Sequence, residues 1–325
     1  MTATDTRPWS LPRAALQRFA DRVAPGSRPA NVRRLHGGID AAMHALDLLL
    51  PSGVRRRLVL RRYAADLTGQ DATRPAQGWH ALRLLEQAGY PAPQPVWFDP
   101  AGELFGSPAL AMTRLPGHAQ LFPHDHAAWL RELAGALAAL HRLSLACLGH
   151  SGLPGPGSLR AEALEKAQRP DVLSTPHLDG VALAAALRQH PPPSARAALV
   201  HGDYHPGNTL WLRGRLCGVV DWDFACIEDP AFDVAYCRLD LALLEGPDAA
   251  DRFLRAYEAA AGGAVAGLRW WDLAAVTRAL PDPARWLPGY HGAGRIELTA
   301  ASLHNRLRAH TAAALARVTD HRATP

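Results

Sequence analysis

The chain reads as an α+β fold in two lobes, a small antiparallel sheet to about Leu115 followed by a mostly helical remainder. Three observations carry that reading. At 325 residues the chain exceeds one ordinary domain, and 48% hydrophobic content is enough for a substantial core. Short apolar runs punctuated by Gly and Pro fill the first part, as in strands joined by turns. Beyond Asp125, Ala- and Leu-rich stretches repeat their apolar positions at helical spacing.

The elements follow in order. Leu35-His36-Gly37-Gly38-Ile39-Asp40 and then Met43 to Leu50 read as strand, glycine turn, strand. Two adjacent glycines let backbone approach a phosphate, and they also serve as an ordinary turn. Arg57 to Tyr63 is a strand with charged ends around Leu58-Val59-Leu60. Gly78 to Gln87 reads as a helix, with Trp79, Leu82, Leu85 and Ala88 at helical spacing. Tyr90 to Phe98 enters a strand that Asp99-Pro100-Ala101-Gly102 turns into another, Ala109 to Met112, ending at Thr113-Arg114-Leu115-Pro116-Gly117. Asp125 or a neighbour starts a long helix whose apolar face holds Trp129, Leu133, Leu137 and Leu140. His141 at its end is expected to hydrogen-bond within the packing rather than ligate. A Gly/Pro-rich loop then precedes helices over Leu159–Gln168 and Leu178–His190, the second closed by Pro191-Pro192-Pro193. The last part is helical over Ala231–Leu244, Asp248–Ala261, Leu268–Leu280 and Leu298–Val318.

Between these helices lies His201-Gly202-Asp203-Tyr204-His205-Pro206-Gly207-Asn208 and, after one hydrophobic run, Asp221-Trp222-Asp223. Ala198 to Val200 leads in as a strand. Leu210-Trp211-Leu212, the turn Arg213-Gly214-Arg215 and Leu216 to Val220 read as a hairpin. Asp203 and Asn208 thus share one tight loop, and Asp221 returns beside them. An acid, an amide and a second acid suit chemistry on a metal-bound phosphate. A carboxylate accepts the hydroxyl proton, and oxygen ligands hold Mg²⁺ against the donor phosphates. Asp203 fits the base; Asn208 and Asp221 fit the metal ligands.

This segment resembles the catalytic core of the aminoglycoside phosphotransferase and choline kinase group of small-molecule kinases. That group shares the protein-kinase-like fold, whose catalytic loop H-R-D-x-x-x-x-N is followed by D-F-G. His201, Asp203 and Asn208 fall at the same spacing, and Asp221 takes the place of the second motif's aspartate. The resemblance spans roughly residues 31 to 240 and is densest around the loop. It implies a Mg²⁺-dependent enzyme of bilobal, protein-kinase-like fold. The reaction implied is transfer of the γ-phosphate of ATP (or GTP) to a hydroxyl of a small molecule. His205 stands where a protein kinase has the lysine that meets the γ-phosphate. Asp233, with His201, is implied to brace the loop. In the N-lobe the resemblance implies that Gly37 and Gly38 cover the phosphates and that Arg61 takes the place of the cation on the α/β-phosphates. Thr113 and Leu115 would offer backbone groups to adenine, with Met112 at its edge. Arginine can fill the cation's role by gripping phosphate oxygens bidentately, and the chain's only lysine, Lys166, is far along in the C-lobe. One departure stands out: the glutamate that orients this cation should fall near Gly78, where no acid occurs. Asp66, Asp71 and Gln77 are the nearest substitutes, and Glu86 lies two turns later.

Rival classes leave different marks. His201, Asp203 and His205 alternate and on a strand could ligate zinc as a metallohydrolase would. Pro206-Gly207 points to a loop instead, and that reading gives Asn208 no role. A nucleotide-binding pseudokinase-like regulatory protein would suit the missing helix acid, but the complete Asp203, Asn208 and Asp221 set argues against it. The net charge of +5 is modest, and the densest basic cluster, Arg55-Arg56-Arg57 with Arg61-Arg62, lacks stacking aromatics, so no nucleic-acid partner is expected. The 4 cysteines form no C-x-x-C pair, and no apolar signal core or transmembrane-length span appears. A reducing cytoplasm and no membrane partner are expected. Aminoglycosides are polycations, and a wall for them should gather carboxylates. Residues 239 to 325 hold nine acids against ten arginines, scattered through helices as if on solvated faces, together with Trp270, Trp271, Trp286, Tyr290 and His291. The expected acceptor is therefore a hydroxyl compound that is not a polycation.

Overall fold

Five strands of the first part form one antiparallel sheet in the order β1-β2-β3-β5-β4: β1 Arg28–Leu35, β2 Ala41–Leu49, β3 Arg55–Tyr63, β4 Pro95–Asp99 and β5 Ala109–Thr113. The computed structural model describes residues 11–35, 41–144, 152–192 and 197–319. The chain divides into two units, Met1–Leu115 and Pro116–Pro325. Gly37, Gly38 and Cys147 lie outside the described residues.

In the first unit, period-2 alternation sorts β3 into two faces. Leu58 and Leu60 are buried in a core with Ala15, Leu16, Phe19 and Ala20 of helix α1 (Arg13–Val23) and with Phe105. Arg62 sits on the same face, where its Nη2 donates to the Phe105 carbonyl at 2.9 Å. Arg61 and Val59 point the other way. Cross-strand partners share a face, so Met43 and Leu110 opposite Arg61, and Met112 opposite Val59, belong to that second face.

Two differences from the sequence reading concern helices. α1, a short charged segment, gave no signal of its own and exists by burying one stripe on the sheet. Helix α2 runs Arg74–Gln87 and begins one turn before Gly78, because Pro75 in its first turn is pre-set for a helix start. The one-turn shift also uses up two candidate substitutes for the missing glutamate. Asp71 pairs with Arg74 at 2.7 Å, and Gln77 Oε1 accepts from the Thr73 hydroxyl at 2.9 Å.

The second unit is built on helices α3 (His126–His141), α4 (Ser158–Ala167), α5 (Pro170–Leu173), α6 (Gly180–Gln189), α7 (Ala231–Glu245), α8 (Pro247–Ala261), α9 (Leu268–Ala279), α10 (Leu287–Gly292) and α11 (Ala300–Thr319). Asp125 caps α3 by accepting the Ala128 N–H at 2.9 Å. Helix α7 is buried from Ala231 to Leu244, as expected of a helix enclosed by others; it packs on α8, α9 and α11. Two small ribbons complete the unit. β6 (Ala198–Val200) pairs with β9 (Cys226–Glu228), and β7 (Thr209–Leu212) with β8 (Arg215–Val219). Arg213 and Gly214 both take positive φ, 52° and 76°, as a two-residue hairpin turn requires. β9 was not anticipated, since three residues are too few to show a period. Among the described residues, no helix is long and apolar enough to cross a membrane.

Phe19 is fully buried, with its ring edge-on to Trp97 at 5.2 Å. Phe19→Ala should cost about 3–5 kcal/mol. Urea denaturation followed by tryptophan fluorescence checks this, and a shift within error of zero would contradict the packing.

Candidate active site

One carboxylate organises the loop. Asp233, in the first turn of α7, is fully buried and accepts the His201 N–H at 2.7 Å and the Gly202 N–H at 2.9 Å. His141 Nε2 lies 3.2 Å from the same carboxylate, and its Nδ1 lies 2.8 Å from the Tyr257 hydroxyl. His141 is thus the hydrogen-bonded packing residue expected. Gly202 takes φ +77°, and a Cβ there would stand 2.2 Å from the Phe224 carbonyl oxygen, so no other residue fits without moving backbone.

His201 ties the loop to the hairpin. Its Nδ1 accepts the Asp203 N–H at 3.2 Å, which leaves the proton on Nε2 to donate to the Val220 carbonyl at 2.9 Å. Both ring nitrogens are therefore engaged, and His201 is fully buried, so zinc ligation by His201, Asp203 and His205 has no ligand to start from. Val220 N–H in turn donates to the Asn208 carbonyl at 2.9 Å. Asp221 follows directly, with an unusual φ of 69° that Asp tolerates better than bulkier residues. Asp203, Asn208 and Asp221 are thus gathered around Val220.

The donor set suits a hard cation. Asn208 Nδ2 donates to both the carbonyl and Oδ2 of Asp203, each at 3.0 Å, so the amide nitrogen is committed and Oδ1 is the atom that could serve a cation. An amide oxygen beside a carboxylate fits Mg²⁺ better than a thiophilic metal.

Helix α7 follows the loop residue by residue. Positions 233, 236 and 240 are spaced to share one helix face. Asp233 holds His201 and Gly202, the Tyr236 hydroxyl lies near Asp203, and Asp240 Oδ2 lies 3.8 Å from His205 Nδ1. Tyr236 is buried; burial first, then the Asp203 charge, hold its phenol well above the ordinary value. His205 Nδ1 accepts the Gly207 N–H at 3.2 Å, so Nε2 carries the proton; it stands 3.9 Å from Asp203 Oδ2. Asp240 is buried and accepts from the Tyr290 hydroxyl at 2.7 Å through Oδ1, while its Oδ2 has no hydrogen-bond partner. Burial pushes the Asp240 carboxyl up. His205 and the Tyr290 hydrogen bond oppose that push.

Asp240 corrects the expectation that the acids of this region sit on solvated faces. Most of the other described acids are paired elsewhere, and Asp320 lies outside the described residues. Glu245 meets His126, Asp251 and Asp272 meet Arg238, Glu297 meets Arg295, and Asp282 meets His304. Glu258 accepts the Val265 N–H, and Asp248 is exposed on α8. Trp270 and Trp271 also depart from expectation: both are buried in the core, donating to the Leu187 carbonyl and to Asp229. Trp286 and Tyr290 remain near Tyr236 and Asp240.

In the first unit, Arg61 and Met112 share the sheet face turned away from α1. Thr113 N–H donates to the Gln94 carbonyl at 2.9 Å, so a donor toward a base would have to come from Leu115.

An antiparallel sheet with a helix-rich second unit, and two acids and an amide brought together by one loop and the hairpin after it, are the features of kinase-like phosphotransferases. The chain belongs to the phosphotransferase enzyme family, whose model matches residues 49–272. It is 33% identical to the homoserine kinase of Methylocella silvestris over 165 residues, covering 48% of this chain and 50% of that protein. The chain spans about half or less of the length of the curated relatives it matches. Among solved structures, it resembles a putative aminoglycoside phosphotransferase from Ralstonia eutropha with TM-score 0.67 at 19% identity, covering 96% of this chain and 99% of that one. An aminoglycoside phosphotransferase solved as a ternary complex with ADP and hygromycin B matches with TM-score 0.58 at 17% identity, covering 92% of this chain and 98% of that one. These likenesses identify the fold as protein-kinase-like.

The burial of Asp240 has a pH signature. Its folded-state pKa is raised, so ionisation costs stability that is intact below the ordinary aspartate value of 3.8 and is lost as pH rises through the folded value. Asp240→Asn keeps an acceptor for Tyr290 and removes the titration. The melting-temperature difference should favour the variant at neutral pH and shrink as pH falls toward 3.8. A pH-independent difference in scanning calorimetry would contradict it.

Proposed function

We propose that the chain is a Mg²⁺-dependent kinase transferring the γ-phosphate of ATP (or GTP) to the hydroxyl of a small amino alcohol. The observation that carries it is the joining of Asp203, Asn208 and Asp221 through Val220. Asn208 Nδ2 and the Tyr236 hydroxyl steady the Asp203 carboxylate, which would accept the proton of the attacking hydroxyl. His205 Nε2–H is the donor available to a γ-phosphate oxygen, in the role a protein kinase gives a lysine. Asn208 Oδ1 and the Asp221 carboxylate would hold Mg²⁺, which neutralises phosphate charge when bound. His201 and Asp233 position the base without touching substrate. Gly37, Gly38, Arg61, Met112, Thr113 and Leu115 are the nucleotide-binding residues of this reading, with Arg61 on the phosphates and Leu115 N–H on the base.

The acceptor follows from charge. Asp240 offers one carboxylate oxygen near His205, room for a single ammonium rather than the array a polycation needs. The homoserine kinase relatives act on an amino alcohol of that size, which supports the same choice. A pseudokinase-like role is disfavoured by the completeness of the catalytic set, and a reducing compartment suits the free thiols Cys217, Cys226 and Cys237.

Asp203→Asn should lower kcat by about a hundredfold or more while Mg-nucleotide affinity stays near wild type, since the amide keeps shape and loses the proton acceptor. Single-turnover assays with nucleotide titrations decide it; a loss of only a few-fold removes Asp203 from the role. Kanamycin should be a poor acceptor beside amino alcohols such as homoserine. Saturable kanamycin phosphorylation with a micromolar KM would overturn the acceptor class and leave the kinase assignment standing.

A further inference from the structure

Behind the Phe224, Phe232 and Trp286 rings, cations outnumber the acids that neutralise them. Arg278, on α9, is 9% exposed, and its Nη2 donates to Glu162 Oε2 at 2.9 Å. Glu162 also holds Lys166, at 2.7 Å, so one carboxylate serves two cations. Arg285, in the short turn Pro283–Trp286, adds a third; it donates to the Arg278 carbonyl and, at 2.9 Å, to the Leu280 carbonyl. Among the described residues Arg285 makes no ion pair. The nearby acid, Asp282, is taken by His304 and by the Ala284 N–H, each at 2.8 Å. The surplus is felt by Lys166, whose ammonium is pushed down by burial first and by Arg278 next.

These cations border the reacting loop. The Arg278 guanidinium lies 5.3 Å from the Phe224 ring centroid and 5.4 Å from that of Phe232. Phe224 supplies the carbonyl that Gly202 packs against, beside Asp203. Phe232 stacks on Tyr236 at 6.0 Å. Arg285 lies 5.4 Å from the Trp286 ring, which is edge-on to Tyr236 at 6.4 Å. Aromatic side chains thus connect Asp203 to the cations, with Tyr236 between them.

We infer that Lys166, Arg278 and Arg285 form a subsite for a carboxylate of the acceptor, so that the molecule phosphorylated is a hydroxy acid. Arg278 is buried and Lys166 half-buried around one shared carboxylate, with Arg285 exposed at their edge, and such a confined excess of positive charge becomes favourable when an oxyanion joins it. A guanidinium fork matches the two oxygens of a carboxylate, whereas a plain alcohol would leave the cations unanswered. The inference rests on the kinase reading for the position of the acceptor hydroxyl, and its test separates the two.

Calorimetric titration of the full chain, loaded with Mg²⁺ and a non-hydrolysable ATP analogue, compares glycerate, 4-hydroxybutyrate and serine with their primary amides. At least one acid should bind about tenfold or more tighter than its amide, the equivalent of one charge-assisted hydrogen bond. Arg285→Gln and the milder Lys166→Gln should each remove most of that preference, Arg285→Lys should keep part of it, and KM for ATP should not change. Amides matching the acids, a preference that survives both substitutions, or no saturable binding by any acid would overturn the subsite. A raised KM for ATP in Arg285→Gln would overturn it too, by assigning the cations to donor phosphate. Phosphate transfer is read separately. Acids that bind selectively but are never phosphorylated contradict the kinase reading and leave the subsite standing.

Discussion

Two backbone N–H groups, those of His201 and Gly202, have no strand or helix partner, and a buried Asp233 carboxylate accepts both. A buried N–H without a partner costs about 1–3 kcal/mol, and a buried carboxylate without donors costs more, so each side makes the other tolerable. The rest of the site inherits its position from that exchange. With the loop fixed to the start of α7, His201 can reach across to the Val220 carbonyl, and Val220 can hold Asn208. The loop is therefore placed largely by backbone hydrogen bonds, and the Asn208 amide steadies the Asp203 carboxylate. Asp203 and His205 remain part-exposed.

Helix α7 also sets what lies opposite each loop residue. A side chain three or four positions on falls on the same face, so one helix meets His201 with Gly202, Asp203 and His205 through Asp233, Tyr236 and Asp240 in turn. On the proposed reading the arrangement would couple catalysis to acceptor choice, because the residues proposed to flank the acceptor belong to the element that holds the loop, and a change that shifts α7 would disturb both.

Most of this was legible in the sequence where a local pattern and a chemical requirement coincided. The loop from His201 to Asn208, the hairpin carrying Asp221 and the N-cap at Asp125 each combine turn residues with periodic apolar flanks. The brace role of Asp233, implied by resemblance, has a direct physical counterpart in its two N–H donors. Elements that exist only by tertiary burial stayed invisible, among them α1, the three-residue β9 and the short turns around α10. Asp240 was misjudged for a related reason. Composition treats an acid in a helix as solvated, and α7 is apolar enough all round that any charge on it must be buried. The spacing of seven from Asp233 was the available signal, since two helical turns bring the second acid back to the loop side.

A helix buried all round can carry charge only where each charge is answered, and α7 shows the rule and one departure from it. Asp233 is satisfied by the loop N–H groups and His141. Arg238, 1% exposed, is satisfied by Asp272, Asp251 and the Ala250 carbonyl. Asp240 has Tyr290 on one oxygen and no hydrogen-bond partner on the other. Structural packing alone gives no reason to retain a carboxylate there, because asparagine would satisfy Tyr290 without the desolvation cost of an ion. The unanswered oxygen lies beside His205, on the loop that bears the base. Across Tyr236 stand the cations of Lys166 and Arg278, which share the Glu162 carboxylate, and of Arg285, which among the described residues bonds only backbone carbonyls. Opposite charges left incomplete on two sides of one buried phenol form a dipolar environment. Under the proposed function, a ligand that carries both charges alongside its hydroxyl would gain most from that environment.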